Sequence, residues 1–323
     1  MAASDPAVSS SRPSTPSLYT IDAENAAETS RLIMQDQLLT QAMGGLLPEL
    51  TAEELRSVRR VLDIGCGPGG WVLALAAAYP SLEVVGFDIS ETMIRYAIAQ
   101  ARVHGLTNVS FEVMDARQPL AFQDASFDLI NARWIFAFMD QASWRSLIAE
   151  CWRLLPPGGL LRLSEPELTV TNSPAFQTLM GYFYEALARL KRTFSVDGHS
   201  SGVPSLLGKL LQEAGFVAIR KIPYVVDGSY GTEMYAISVK DAEVALALTK
   251  PFLLRHTSLS ETEFEALYER MLVEMLSEEH VGLCYALTVC GRKPGQLHEP
   301  ARRGAEGQGE ADGAGRNGRS DYG

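Results

Sequence analysis

The stretch RVLDIGCGPGGWVLALAAAYP, Arg60 to Pro80, runs from a short apolar segment through four glycines into an alanine-rich helical pattern. A strand, a glycine-rich turn and a helix in that order make a nucleotide-binding unit of an open α/β sheet. Gly65, Gly67 and Gly70 satisfy G-x-G-x-x-G, the pattern that seats a pyrophosphate on a helix N-terminus, and Gly65, Gly67 and Gly69 equally satisfy G-x-G-x-G. The glycines alone leave both ligands open. Asp63, two residues before Gly65, adds a constraint: a carboxylate beside the loop repels a pyrophosphate and attracts an ammonium. A ligand with an amino-acid end is favoured.

Two further acids extend that reading outward. Asp88 closes the next apolar run, LEVVGFD, where a carboxylate accepts hydrogen bonds from two ribose hydroxyls. Asp115 closes VSFEVMD at the same edge of the sheet, within reach of an exocyclic amino group. Three acids on successive strand ends thus outline amino acid, ribose and base.

The runs RVLDI, LEVVGFD, VSFEVMD, FDLINAR and LLRLSE alternate with helical periods, which indicates parallel strands covered by helices. SETMIRYAIAQARVHG reads as a helix with Ser90 at its N-cap and Gly105 past its last turn. In QASWRSLIAECWRLLPPGG, Trp144, Leu147, Ile148, Cys151, Leu154 and Leu155 recur at helical spacing before a Pro-Pro-Gly-Gly stop, which marks a core stripe. Past the fifth strand the alternation breaks into added helices, over Thr169–Val203 and Ala242–Glu279, expected to surround a site rather than form a second domain. Residues 1–17 and 294–323 lack apolar periodicity and read as disordered, leaving one domain over 18–293.

Composition limits the function classes. The 323 residues are 46% hydrophobic and carry a formal charge of −11. The tail from Pro294 sets four arginines against five acids, so about −10 belongs to the rest, which disfavours a nucleic-acid surface. No run approaches the ~20 apolar residues of a membrane span, and the first residues do not read as a signal peptide. Cys66, Cys151, Cys284 and Cys290 form no C-x-x-C pair and have no histidine at ligand spacing, so no metal and a cytoplasmic setting are expected. The oligomeric state is open.

With these motifs in order, the chain resembles the class I S-adenosylmethionine-dependent methyltransferases, in particular the small-molecule branch that includes the ubiquinone and menaquinone biosynthesis enzymes. VLDIGCGPGG is similar to that family's first motif, GFDIS to its second, MDARQPLAFQDASFDLINAR to its third strand end and fourth strand, and LLPPGGLLRLSEPE to its fifth strand. The resemblance implies a Rossmann-like, mostly parallel seven-stranded sheet whose last strand, VGLCYALTVCGRK, is antiparallel. Cys284 and Cys290 would then share one face. It also implies S-adenosylmethionine as cofactor, with Asp63, Gly65, Gly67 and Gly69 around the methionine end, Asp88 and Ile89 at the ribose, Asp115 and Ala116 at the base, and Asn131 beneath the methionine moiety. An amphipathic N-terminal helix from about Glu24, with Tyr19, would form a lid.

A methyl transfer is an in-line displacement that positioning and exclusion of water can largely catalyse. Candidates for contact with a small-molecule acceptor are Tyr19, Arg133, Trp134 and Tyr184. Glu165 and His199 are candidate bases. Asn131-Ala-Arg-Trp stands where amino methyltransferases of nucleic-acid bases commonly carry an Asn/Asp-Pro-Pro-Tyr run, which points away from DNA. Two other classes stay open at this level: a nicotinamide-dependent reductase, and a non-catalytic protein on the same fold.

Overall fold

The computed structural model describes residues 19–295. The expectations for residues 1–17, and for the tail beyond Gly295, lie outside the described residues. Helices α1 (Ala26–Ala42) and α2 (Ala52–Ser57) precede β1 (Arg60–Ile64), α3 (Gly70–Ala78), β2 (Glu83–Asp88), α4 (Glu91–Val103), β3 (Val109–Val113), β4 (Leu129–Arg133), α5 (Gln141–Leu154) and β5 (Leu160–Thr171). There follow α6 (Pro174–Arg189), α7 (Val203–Glu213), β6 (Val217–Asp227), α8 (Tyr235–His256), α9 (Glu261–Met275) and β7 (Gly282–Arg292).

The strands form one sheet in the order β3-β2-β1-β4-β5-β7-β6, parallel from β1 to β5, with β7 antiparallel to both neighbours. Chain direction across the sheet reverses between β1 and β4, the place where open α/β sheets bind ligands beyond their carboxyl ends. Because side chains alternate along a strand, β1 supplies both layers. Leu62 and Ile64 enter a core with Trp144, Leu147 and Cys151 of α5 and Leu207 and Leu211 of α7. Val61 packs on the other face with Val72 and Leu75 of α3. The expected helices are present, with the Ser90 hydroxyl accepting from Met93 N at the start of α4. Cys284 and Cys290 lie an even step apart on β7, and none of the four cysteines is in a disulfide.

Two elements depart from the sequence reading. β5 does not stop at Glu165 but continues to Thr171, because past a register shift at Pro166/Leu168 it goes on pairing with β7. Glu165 is therefore mid-strand. α8 begins at Tyr235, about two turns before Ala242, where the added helices were expected to start. With α6 and α9 it builds a separate apolar cluster of Phe176, Leu179, Leu246, Leu253, Phe264 and Met271 above the sheet edge. No helix among the described residues is long and apolar enough to cross a membrane.

The turn from β1 to α3 depends on backbone that a side chain resists. Gly69 has φ +81°, and a Cβ there would lie 2.8 Å from Ala97 Cβ and 2.9 Å from Phe111 Cε1. Gly69→Ala therefore combines a left-handed penalty with overpacking, together about 2–4 kcal/mol. Denaturant unfolding should show that loss, and an unchanged midpoint would mean that α3 and α4 separate freely.

Candidate active site

A cavity of about 330 Å³ opens at the carboxyl ends of β1, β2 and β4 and continues beneath α6 and α8. Asp63, Gly65, Gly67, Asp88, Ile89, Asp115 and Ala116 line it, as do Tyr19, Arg133, Trp134 and Tyr184. The structure thus brings together most of the residues singled out from sequence, but four occupy other places.

Gly69 is off the cavity wall and serves the packing of α3 on α4. Asn131, 0% exposed, is also off the wall. It lies beside Asp63 in the β1–β4 register, donates Nδ2 to Asp63 Oδ1 at 2.7 Å and accepts from Arg162 Nη1 at 2.6 Å. Arg162 in turn pairs with Glu49 at 3.0 Å. Asn131 therefore orients the acid and does not itself face the cavity. Glu165 accepts the backbone N–H groups of Ile135 and Phe136 at 3.0 and 3.1 Å. Burial pushes its carboxyl up to about 8 against those two bonds, and it braces the turn after β4 from inside the protein. His199 is exposed in its loop and does not reach the cavity. Neither candidate base stands on the cavity wall.

The three acids differ in environment. Asp63 is buried, and desolvation drives its carboxyl up to about 7 in spite of Arg133 and the Asn131 hydrogen bond. Asp88 accepts from Gly67 N at 3.0 Å and Ser90 N at 2.9 Å, one bond on each oxygen, so each retains an acceptor site. Burial raises its pKa, opposed by backbone N–H groups of Ser90, Gly67 and Ile89. Asp115 forms a two-bond pair with Arg117, at 2.9 and 2.7 Å. Burial pushes that carboxyl up, but the Arg117 side-chain and backbone bonds together outweigh it and hold Asp115 below the usual range.

The remainder of the wall includes residues that the sequence did not mark. Along α1 the inward face begins with Glu28, Arg31 and Gln35 and only then turns apolar at Leu38 and Leu39. Arg31 is bound by Glu28 at 2.6 and 2.7 Å and by Asp241 of α8 at 2.8 Å, which ties the N-terminal helix to the added helices across the cavity. Tyr19 donates its hydroxyl to Glu28 at 2.7 Å. Asp36 pairs with Arg133, and a Cβ on Gly70 would collide with the Asp36 carboxylate. Trp134 holds φ +56°, kept there by its N–H to Ser164 O at 2.9 Å and its indole N–H to Tyr224 Oη at 3.1 Å. An i, i+3, i+7 row of polar residues on α1 was the available signal, and it mimics a solvated face.

Residues 61–159 match the model of a methyltransferase domain. A demethylmenaquinone methyltransferase of Geobacillus kaustophilus is 31% identical over 176 residues, covering 51% of this chain and 74% of that protein. The chain belongs to the class I S-adenosylmethionine-dependent methyltransferases. A demethylmenaquinone methyltransferase of Staphylococcus aureus strain JH9 is 30% identical over 181 residues, 51% of this chain and 71% of its own. Among solved structures, phosphoethanolamine N-methyltransferase 2 of Haemonchus contortus in complex with S-adenosyl-L-methionine has a TM-score of 0.49 and 18% identity, over 84% of this chain and 57% of that one. The methyltransferase uses S-adenosylmethionine on a small molecule, which retires the nicotinamide and non-catalytic readings. Its cleft fits that cofactor: Asp63 is a buried acid lacking a cation of its own, and Asp88 has acceptor capacity to spare.

The Asp63 shift has a stability consequence in the ligand-free methyltransferase. Its carboxyl titrates at about 7 folded against 3.8 for the ordinary group. Stability from this group is fully present below the lower value and is lost as pH rises through about 7. Ligand-free Asp63→Asn, spared that loss, should melt above wild type at pH 8, with the gap closing toward pH 5. A variant that melts lower at pH 8 would show that the ionised acid is already compensated.

Proposed function

We propose that this methyltransferase acts on a neutral, largely apolar metabolite bearing a ring or chain, held under α6 and α8. The supporting observation is the continuity of one cavity from the strand-end acids to a wall that includes Phe176, Met180, Phe183 and Leu246. Such a lining suits an apolar ligand fixed by a few polar groups. Relatives named for demethylmenaquinone support an acceptor of that apolar class. The chain's charge of −11 supports a small acceptor over a nucleic acid, and its unpaired cysteine spacing supports a cytoplasmic setting.

On this reading Asp63 meets the ammonium of the cofactor's amino-acid end, with Gly65 and Gly67 leaving room for it. Asp88 accepts from the ribose hydroxyls, and Asp115 with Ala116 borders the base. When bound, the cofactor supplies an electrophilic methyl group on a cationic sulfur. The chain's own work is to orient and to keep out water: Tyr19 and α1 cover one side, and Phe183, edge-on to Phe136 at 6.3 Å, shapes the other. With Glu165 and His199 off the wall, positioning supplies the catalysis in preference to a fixed base.

Asp88→Asn should weaken S-adenosylmethionine binding at least tenfold in calorimetric titration, since charge-assisted hydrogen bonds contribute on the order of 1.5–3 kcal/mol each. Unchanged affinity would remove Asp88 from the ribose role. Incubation with labelled S-adenosylmethionine and a fractionated metabolite extract should label an apolar fraction. Phe183→Ala should alter turnover of that acceptor while cofactor affinity stays within about threefold. Labelling confined to polar, charged metabolites would overturn the proposal.

A further inference from the structure

Arg133, at the end of β4, pairs with Ser164, and β5 runs on from there through Glu165 to Thr171. At about 3.3 Å per residue, the wall formed by β5, β7 and β6 rises roughly 20 Å past the edge that bears the glycine loop. At its top Gly228 N donates to Gly282 O at 2.8 Å, joining the chain that leaves β6 to the chain that enters β7. Two polar side chains flank this junction. A Cβ on Gly228 would lie 2.7 Å from Ser238 Cβ, and one on Gly282 would lie 3.0 Å from His280 Nε2, so both positions need to be bare.

Ser238 comes from the first turn of α8 and His280 from the turn between α9 and β7. Both line the cavity. Ser238 Oγ and His280 Nδ1 are buried and have no hydrogen-bond partner among the described residues, although His280 is only 4% exposed. The helices closing this half also present Phe176, Leu246 and Met275, and the other polar side chains of α8 on this wall already have partners, Asp241 with Arg31 and Thr249 with Ala245 O. Buried polar atoms are nearly always paired, and of the unpartnered buried atoms among the described residues only these two belong to residues that line the cavity.

We infer that Ser238 and His280 form a polar subsite for an oxygen substituent of the methyl acceptor, a hydroxyl or carbonyl at the end remote from the transferred methyl. This rests on the apolar-acceptor reading and specifies it further. Burial lowers the His280 pKa, so the ring is neutral and presents one N–H and one lone pair. Serine presents one of each as well. Together they match a neutral oxygen and offer no countercharge to an ionised group. A site built around such atoms discriminates strongly against a ligand that leaves them unpaired, so the pair selects the acceptor rather than accelerating the transfer.

Two isosteric fluorescent probes separate the possibilities: 2-naphthol and 2-methylnaphthalene, titrated into the full chain loaded with S-adenosylhomocysteine. Wild type should bind 2-naphthol at least tenfold more tightly. In the double variant Ser238→Ala with His280→Phe the preference should fall to within about twofold, while affinities for 2-methylnaphthalene and S-adenosylhomocysteine stay within about threefold. Should the double variant fail to fold, Ser238→Ala alone should reduce the preference at least threefold. Equal binding of both probes by wild type, or an undiminished preference in the variants, overturns the subsite alone. Failure of both probes to bind overturns the apolar-acceptor reading and the subsite with it.

Discussion

A row of polar side chains crosses the middle of the sheet, and the cleft is built on it. Asp63, Asn131 and Arg162 are register partners on β1, β4 and β5, and Glu49 closes the row from the segment before α2. Each member satisfies the next through bonds of 2.6 to 3.0 Å. Charges this deep are costly unless fully partnered, and removing one member of such a chain strands the others. The arrangement leaves the final acid at the carboxyl end of β1 with a hydrogen bond from Asn131 but no cation bonded to it. One end of the row is neutralised by Glu49 and Arg162, and the other waits at the cavity.

The nucleotide half was legible because its chemistry is local. Asp63, the glycines and Asp88 fall within one strand-turn-helix-strand unit, so spacing along the chain nearly determines spacing in the structure. Even there, separation failed for residues whose partners are distant. Asn131 lies in the middle of β4, its neighbour Arg162 lies one strand further on, and only the register shows that its amide is already used on both sides. Glu165 shows the same effect: SEPE reads as a strand end, whereas pairing with β7 continues the strand and turns the acid inward onto Ile135 and Phe136.

The half under α6 and α8 was far less legible. Its added helices could be located, but the cavity they close is assembled from α6, α8, α9 and the ends of three strands that are distant in sequence. Ser238 and His280 are single polar residues in otherwise ordinary surroundings. Only burial distinguishes them from surface groups. Glu28, Arg31 and Gln35 are hidden in the opposite sense, since a charged row on a helix normally faces water and here faces Asp241.

That inverted face gives the two ends of α1 different chemistry. The contact between α1 and α8 at Arg31 is an ionic seam: on parting, Glu28, Arg31 and Asp241 regain hydration that partly repays the broken bonds, whereas an apolar seam would only expose hydrocarbon. The other end of α1, where Leu38 and Leu39 pack on Tyr224 and Val226, has no such compensation. Water therefore competes for the contact at the N-terminal end of α1, next to Tyr19, more than at its C-terminal end, so one helix meets the rest of the protein through two seams of opposite solvent response.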